Sequence, residues 1–269
     1  MADDIFTVEL GENKIKIVEA YLRNGQIEIT NMGIDELDPL FYVTDSENII
    51  EKAAKTTSNL IKQLKITKKT LRVVLSDSFS YNKFIEMPDV TEKELLSAIK
   101  YQADQFVPMP LDQVNIDIEI VFDNPQVKKL LALLCASSKK IIGKVEKFSE
   151  YMGLYPDTLE TETSAIARLI NTIFLSKKPT LNKNHGFIII NMQPSTSSIY
   201  FILESQALMI YSYNFKTGLD LFKKELQINM NVDKKKSEDL LAHIGLSKSG
   251  SYNLQEILTP STKSFVQEV

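Results

Sequence analysis

Ile5-Phe6-Thr7-Val8-Glu9-Leu10-Gly11-Glu12-Asn13-Lys14-Ile15-Lys16-Ile17-Val18 is the stretch that decides the fold. Apolar and polar residues alternate on both sides of Gly11-Glu12-Asn13, the pattern of two half-buried strands, over 5–10 and 14–22, joined by a tight turn. Asn24-Gly25 follows and is a strong two-residue hairpin signal, so a third strand is expected over 26–30. A helix is expected over 47–64, with Ile49, Ala53, Thr57, Leu60 and Leu64 on one face and Ser46 at its N-cap. Leu71-Arg72-Val73-Val74-Leu75-Ser76 then reads as a buried strand.

The opening theme returns late in the chain. Strands are expected over 187–192, 197–204 and 207–213, with Gln193-Pro194-Ser195-Thr196 as the first turn. Helices follow near 218–229 and 234–244. Placing Val8 on Ile190 sets Glu9 on Asn191, Leu10 on Met192, Gly11 on Gln193 and Ile17 on Ile199. A β-β-β-α pattern thus occurs twice, about 180 residues apart, which marks a duplicated architecture.

The middle has a different character. Thr91 and Glu94 have capping-box spacing before a helix carrying Leu95, Ile99 and Phe106, which Pro108 and Pro110 end. Val114, Ile116, Ile118 and Ile120 alternate with Asn115, Asp117 and Glu119, as in a half-buried antiparallel strand whose acids face solvent. Residues 130–136 read as a buried strand. A helix follows, with Ile141, Val145, Phe148 and Met152 on one face and Gly153 as its stop. A further helix is expected over 161–175 and a polar linker over 176–185.

Composition narrows the function classes. The 269 residues are 43% hydrophobic and 25% charged, with a net charge of −4. No basic excess is present to neutralise phosphates, which argues against nucleic acid as a partner. Lys234-Lys235-Lys236 reads as a solvated helix start. Apolar runs reach about seven residues, against the ~20 of a membrane-spanning helix, and the N-terminus has no signal-peptide pattern. The single cysteine, Cys135, sits in an apolar strand, which suits an inert thiol in a reducing compartment. His185 and His243 have no companions at metal-ligand spacing. No Ser-His-Asp or Cys-His arrangement is supported by spacing.

Three stretches carry a family resemblance. Tyr101-Gln102-Ala103-Asp104-Gln105-Phe106-Val107-Pro108-Met109-Pro110-Leu111 resembles the helix end and double proline of the PilM family of type IV pilus assembly proteins. Gly153-Leu154-Tyr155-Pro156 and Glu160-Thr161-Glu162-Thr163-Ser164-Ala165, after the strand and helix at 130–151, resemble its turn and acidic connecting segment. The two strand–turn–strand units are the third. The resemblance implies an actin-like (ribonuclease H-like) α/β fold with duplicated domains. Residues 1–81 and 154–180 would form the first subdomain, 82–153 an inserted small α/β subdomain, and 186–269 the second domain. The chain is expected to lack the family's last helix, strands and adenosine-contacting loop.

In that fold each hairpin turn clamps phosphate. An acid holds the metal's water shell, and a glycine lets backbone N–H groups approach. What the resemblance implies here is uneven. The first turn keeps Glu9 and Gly11, with Asn13 beside them and Lys16 where a basic residue often follows. The second offers Asn191 for the acid and Gln193 for the glycine, and Pro194 removes a donor, leaving Ser195 and Thr196. Glu160 and Glu162 either face the cleft as a base for metal-bound water or are simply acids at a helix start, favoured by the dipole. Gly218 completes the candidate nucleotide set. Either these turns hold ATP and magnesium weakly, or both are ordinary β-turns; hydrolysis is expected to be poor or absent.

The resemblance also implies a partner: the cytoplasmic N-terminal tail of a PilN-like single-span membrane protein. It would lie between the first subdomain and the inserted one, at Phe106, Val107, Met109 and Leu111, unless those side chains are only core. The expected role is a scaffold beneath the inner membrane, among other proteins of the pilus platform. Two alternatives stand beside it: an FtsA-like ATPase that drives assembly, and the cytoplasmic domain of a GspL-like type II secretion protein.

Overall fold

The computed structural model describes residues 5–88, 94, 107–124, 128–175, 185–249 and 252–269. The helix expected after Thr91, including Phe106 at its end, and most of the 176–185 linker lie outside the described residues.

β1 (Ile5–Leu10) and β2 (Lys14–Arg23) pair antiparallel with Val8 opposite Ile17. The alternation turns Phe6, Val8, Leu10, Ile15 and Ile17 inward, each at most 1% exposed. Asn24 and Gly25 both take positive φ, 51° and 75°, as a type I′ turn requires, and lead into β3 (Gln26–Glu36). β3 runs beyond the expected 30 because a bulge opposite Glu19 and Ala20 lets pairing continue to Glu36.

α1 (Glu47–Gln63) buries Ile50, Ala53, Thr57 and Leu60, and Ser46 occupies its N-cap position without a side-chain cap bond. β4 (Thr70–Leu75) lies parallel to β1. β8 (Tyr155–Thr161) lies parallel to β4, which completes a five-stranded sheet of order β3-β2-β1-β4-β8. α2 (Lys139–Met152) is capped by the Ser138 hydroxyl and stops at Gly153, φ 64°. Its Val145 and Phe148 join the core formed by α1 and this sheet. α3 (Glu162–Leu175) follows β8 directly.

A separate antiparallel sheet has the order β5-β7-β6, from β5 (Ser80–Pro88), β6 (Val114–Asn124) and β7 (Lys129–Ser138). Its apolar face holds Ile85, Val114, Ile118, Leu130 and Leu134, with Val107 buried among them. The 114–120 strand therefore belongs to its own sheet, while α2, sequence-adjacent to β7, packs on the five-stranded one.

β9 (Gly186–Met192), β10 (Ser197–Leu203) and β11 (Leu208–Phe215) form a third sheet of order β11-β10-β9. α4 (Leu219–Met230), α5 (Lys234–His243) and α6 (Leu254–Glu268) follow, and Phe222, Leu226, Leu240, Leu258 and Phe265 form their shared core. The chain divides into two compact units, Met1–Ile188 with Tyr200–Ser212, and Ile189–Ile199 with Tyr213–Val269.

Candidate functional site

In the first unit the parallel strands β1, β4 and β8 end together, and acidic side chains gather there. That edge is where open α/β sheets bind ligands. Glu9 pairs with Lys16 at 2.5 Å. The Gly11 N–H closes the turn on the Lys14 carbonyl at 2.9 Å, and the Asn13 carbonyl accepts the Leu37 N–H. Glu12, which sequence reasoning passed over, is buried and accepts the Ser78 hydroxyl at 2.5 Å. Asp77 was likewise not singled out. Its carboxylate accepts from the Thr163 N–H (3.1 Å) and hydroxyl (2.7 Å), the Tyr200 hydroxyl (3.0 Å) and the Asn82 amide (2.9 Å).

Glu162 is a buried member of this cluster rather than a solvated helix start. Its carboxyl accepts the Asp77 N–H at 2.9 Å and is only 4% exposed. Burial, then the charges of Asp77 and Glu9, push its pKa up to about 8. Burial also raises the Tyr42 phenol, whose hydroxyl donates to the Leu10 carbonyl beneath the turn. The structure thus gathers Glu9, Gly11, Lys16 and Glu162 with Glu12, Asp77 and Ser78. The acids are already engaged with internal donors. Among the described residues no group of three or more His, Cys, Asp or Glu is arranged to hold a metal ion.

The second turn, in the other unit, is built differently. The Gln193 N–H donates to the Thr196 carbonyl at 2.9 Å, and Gln193 does not take positive φ. The Gln193 and Pro194 carbonyls accept the Leu219 and Asp220 N–H groups at 3.0 and 2.8 Å. These are the first amides of α4, the donors a helix N-terminus would otherwise offer to phosphate. Gly218 makes this approach possible: a Cβ there would stand 2.4 Å from the Gln193 oxygen and 2.6 Å from the Pro194 oxygen. Gly218 therefore fits the turn against the helix, Thr196 is buried, and Asn191 and Ser195 flank the turn. The residues at this turn do not fit a phosphate group.

A second concavity in the first unit runs between β6 on one side and β8 with α3 on the other. One cavity of about 420 Å³ is lined by residues 115–119, Ser137, Thr158 and Arg168, and a second of about 270 Å³ by residues 119–121, Asn171 and Ala207–Met209. Glu119, Ser164 and Arg168 line both. Arg168 grips Glu160 through two bonds of 2.5 and 2.7 Å, with Arg72 Nε at 3.7 Å. Cys135 also lines the first cavity, but burial holds its thiol up at about 12, so it is no nucleophile. Val107 is 3% exposed in the core of the three-stranded sheet, Met109 and Leu111 pack against that core, and none of the three lines either cavity. Asp117 and Glu119, read from the sequence as a solvated strand face, do line it. The alternation was the available signal, but nothing local says what stands opposite.

Comparison with known proteins places this architecture. The solved structure of a PilM-PilN type IV pilus biogenesis complex superposes with a TM-score of 0.79 at 15% identity, over 98% of this chain and 75% of that one. The ethanolamine utilization protein EutJ from Carboxydothermus hydrogenoformans superposes with a TM-score of 0.50 at 11% identity, over 97% of this chain and 67% of that one. A protein of actin-like ATPase fold from Bacteroides thetaiotaomicron matches at 0.47 and 10%, over 85% and 77%. The fold is the actin-like α/β fold. The family model described as type IV pilus assembly protein PilM matches residues 7–269, nearly the whole sequence, and the chain belongs to that family.

Proposed function

We propose that this chain is a scaffold of the type IV pilus assembly platform that binds the cytoplasmic N-terminal tail of a PilN-like single-span membrane protein. The observation that carries the reading is the groove between β6 and β8–α3, a preformed channel in one unit with apolar and charged walls. Family membership supports the pilus role, and the similar PilM-PilN structure supports the class of partner. No described helix is long and apolar enough to cross a membrane, so in this reading the partner's span holds the chain at the inner membrane.

The actin-like fold raises nucleotide binding as a second activity. The second turn argues for the scaffold instead, because its carbonyls occupy the α4 amides. At the first turn Glu9, Gly11 and Lys16 support at most weak contact with nucleotide and magnesium.

The test is retention of detergent-solubilised PilN-like protein on the immobilised chain. Retention that disappears when the cytoplasmic tail is deleted supports the proposal. Retention unchanged by that deletion contradicts it.

A further inference from the structure

The groove's two walls belong to two sheets that share no strand. One wall is the outer face of the β5-β7-β6 sheet, and the other is β8 with α3. Tyr81 and Ile85 of β5 and Ala136 of β7 turn to the three-stranded sheet's own core, so Asn82, Phe84 and Cys135 turn to its opposite face, as Asp117 and Glu119 of β6 do. That face is not held evenly across its width. At β5, Phe84 packs against the cluster of Ile170, Tyr200, Ile202 and Met209. At β6, Asp117 and Glu119 form no ion pair across the groove among the described residues. The groove is therefore a wedge, closed at β5 and open at β6.

Asn82 closes the narrow end. Its amide donates to the Asp77 carboxylate at 2.9 Å, with the Ser80 hydroxyl at 3.4 Å, and its carbonyl accepts the Thr161 hydroxyl at 2.6 Å. Asp77 lies just past β4 and Thr161 ends β8, so one side chain of the inserted sheet bonds the ends of two parallel strands of the other. Charge fixes which way the amide points. Turned over, its carbonyl would meet the carboxylate, acceptor against acceptor. Thr161 has one hydroxyl proton and gives it to Asn82. Its oxygen is left to accept from the Ser164 N–H at 3.3 Å and the Cys135 thiol at 3.7 Å. Thr161, Ser164 and Cys135 all line the first cavity. A directional chain of bonds thus runs from the acidic end of the five-stranded sheet to the groove wall, and Thr163 and Tyr200 hold Asp77 in place at its start.

We propose that Asn82 is the positioning residue of the groove: its latch on Asp77 and Thr161 sets how far β6 stands from β8 and α3. β7 separates β5 from β6, so the mouth lies two strand spacings, about 10 Å, from the latch. A tilt of roughly ten degrees about β5 moves β6 by about 2 Å, enough to break hydrogen bonds to anything held between the walls. The use of a fixed width rests on the tail-binding reading above, because a preset groove spares the bound segment the cost of ordering the wall. The latch itself stands on the bonds at Asn82.

The experiment uses the full chain and its single cysteine, half-buried on the groove wall, as the gauge of opening. An aromatic disulfide reagent is reacted in mildly alkaline buffer with the parent, Asn82→Ala, Asn82→Asp and Thr161→Val, and a synthetic peptide of the PilN-like tail is titrated into each. Loss of the latch raises the thiol rate by roughly tenfold or more and weakens the peptide by about tenfold. The rise is insensitive to low urea, because a tilt exposes little surface whereas global unfolding exposes much. Adding Asp77→Asn to Asn82→Asp re-forms the pair in reverse, with residue 77 donating and residue 82 accepting, and returns both readings to within about threefold of the parent. Parent-like thiol rates in Asn82→Ala and Thr161→Val, rates that climb with urea as global unfolding does, or no recovery in the exchanged pair overturn the latch. Peptide binding by the parent then leaves the tail reading standing. A faster thiol in the variants, recovered in the exchanged pair, with no peptide binding by the parent, supports the latch and overturns the tail reading instead.

Discussion

Glu162, the first residue of α3, accepts a hydrogen bond from the backbone N–H of Asp77, just past β4, at 2.9 Å. The contact fastens the end of one parallel strand to the helix that follows the next. It also places two buried carboxyls together, which sets a sign for pH dependence.

Glu162 titrates near 8 in the folded protein, against 4.5 for an ordinary glutamate. The folded state therefore binds this proton more tightly than the unfolded one. Its contribution is full below about 4.5 and is lost as pH rises through about 8, a loss on the order of 5 kcal/mol, of which about 3 kcal/mol falls between pH 5.5 and 8.5. Glu162→Gln keeps an acceptor for the Asp77 N–H without the charge. Urea midpoints should fall from pH 5.5 to 8.5 in the parent and stay nearly level in the variant. Parallel curves for the two would refute the assignment.

Gly218 is required for space. Its φ of −137° suits any residue, but an added methyl would stand 2.4 Å from a backbone oxygen. Gly218→Ala should therefore cost about 1–3 kcal/mol, as overpacking against rigid backbone does, and lower the melting temperature. An unchanged melting temperature would mean that the turn and α4 can separate freely.

Nucleotide should stabilise the protein little. With the α4 amides bonded to the Gln193 and Pro194 carbonyls, phosphate has few donors at that turn. Mg·ATP at roughly 1 mM with a similar Kd adds only about 0.4 kcal/mol, or about 1 °C in Tm. Phosphate release should stay at background, and Asn191→Asp with Gln193→Gly should enlarge the thermal shift. A shift of several degrees in the parent, with turnover abolished by Glu9→Ala, would favour an ATPase.

The hairpins were legible in sequence because their signals are local. Val8 and Ile17 alternate about a turn closed at Gly11, and Asn24-Gly25 has few other uses. The missed strands are those whose signals are not local. β8 begins Tyr155-Pro156-Asp157, reads as a turn, and is a strand because β4 lies parallel beside it. β5 is a half-exposed edge strand whose polar residues hide its alternation. The tight turn at Gly11 was legible, but Asp77 and Glu162 come together across eighty-five residues. The groove is hidden for the same reason. Asp117 and Glu119 face Arg168 and Thr158 only once two separate sheets are in place.

The most direct measurement is calorimetric titration of the PilN-like tail peptide into the parent chain and into Thr158→Trp. Thr158 projects from β8 into the first cavity, and the indole fills the space the tail would take. Tyr155→Ala is the control, since Tyr155 is 80% exposed and lies outside both cavities. The account predicts one-to-one binding that Thr158→Trp weakens by tenfold or more, roughly 1.4 kcal/mol, with Tyr155→Ala unaffected. Equal affinity for the parent and Thr158→Trp, with both folded, would contradict it.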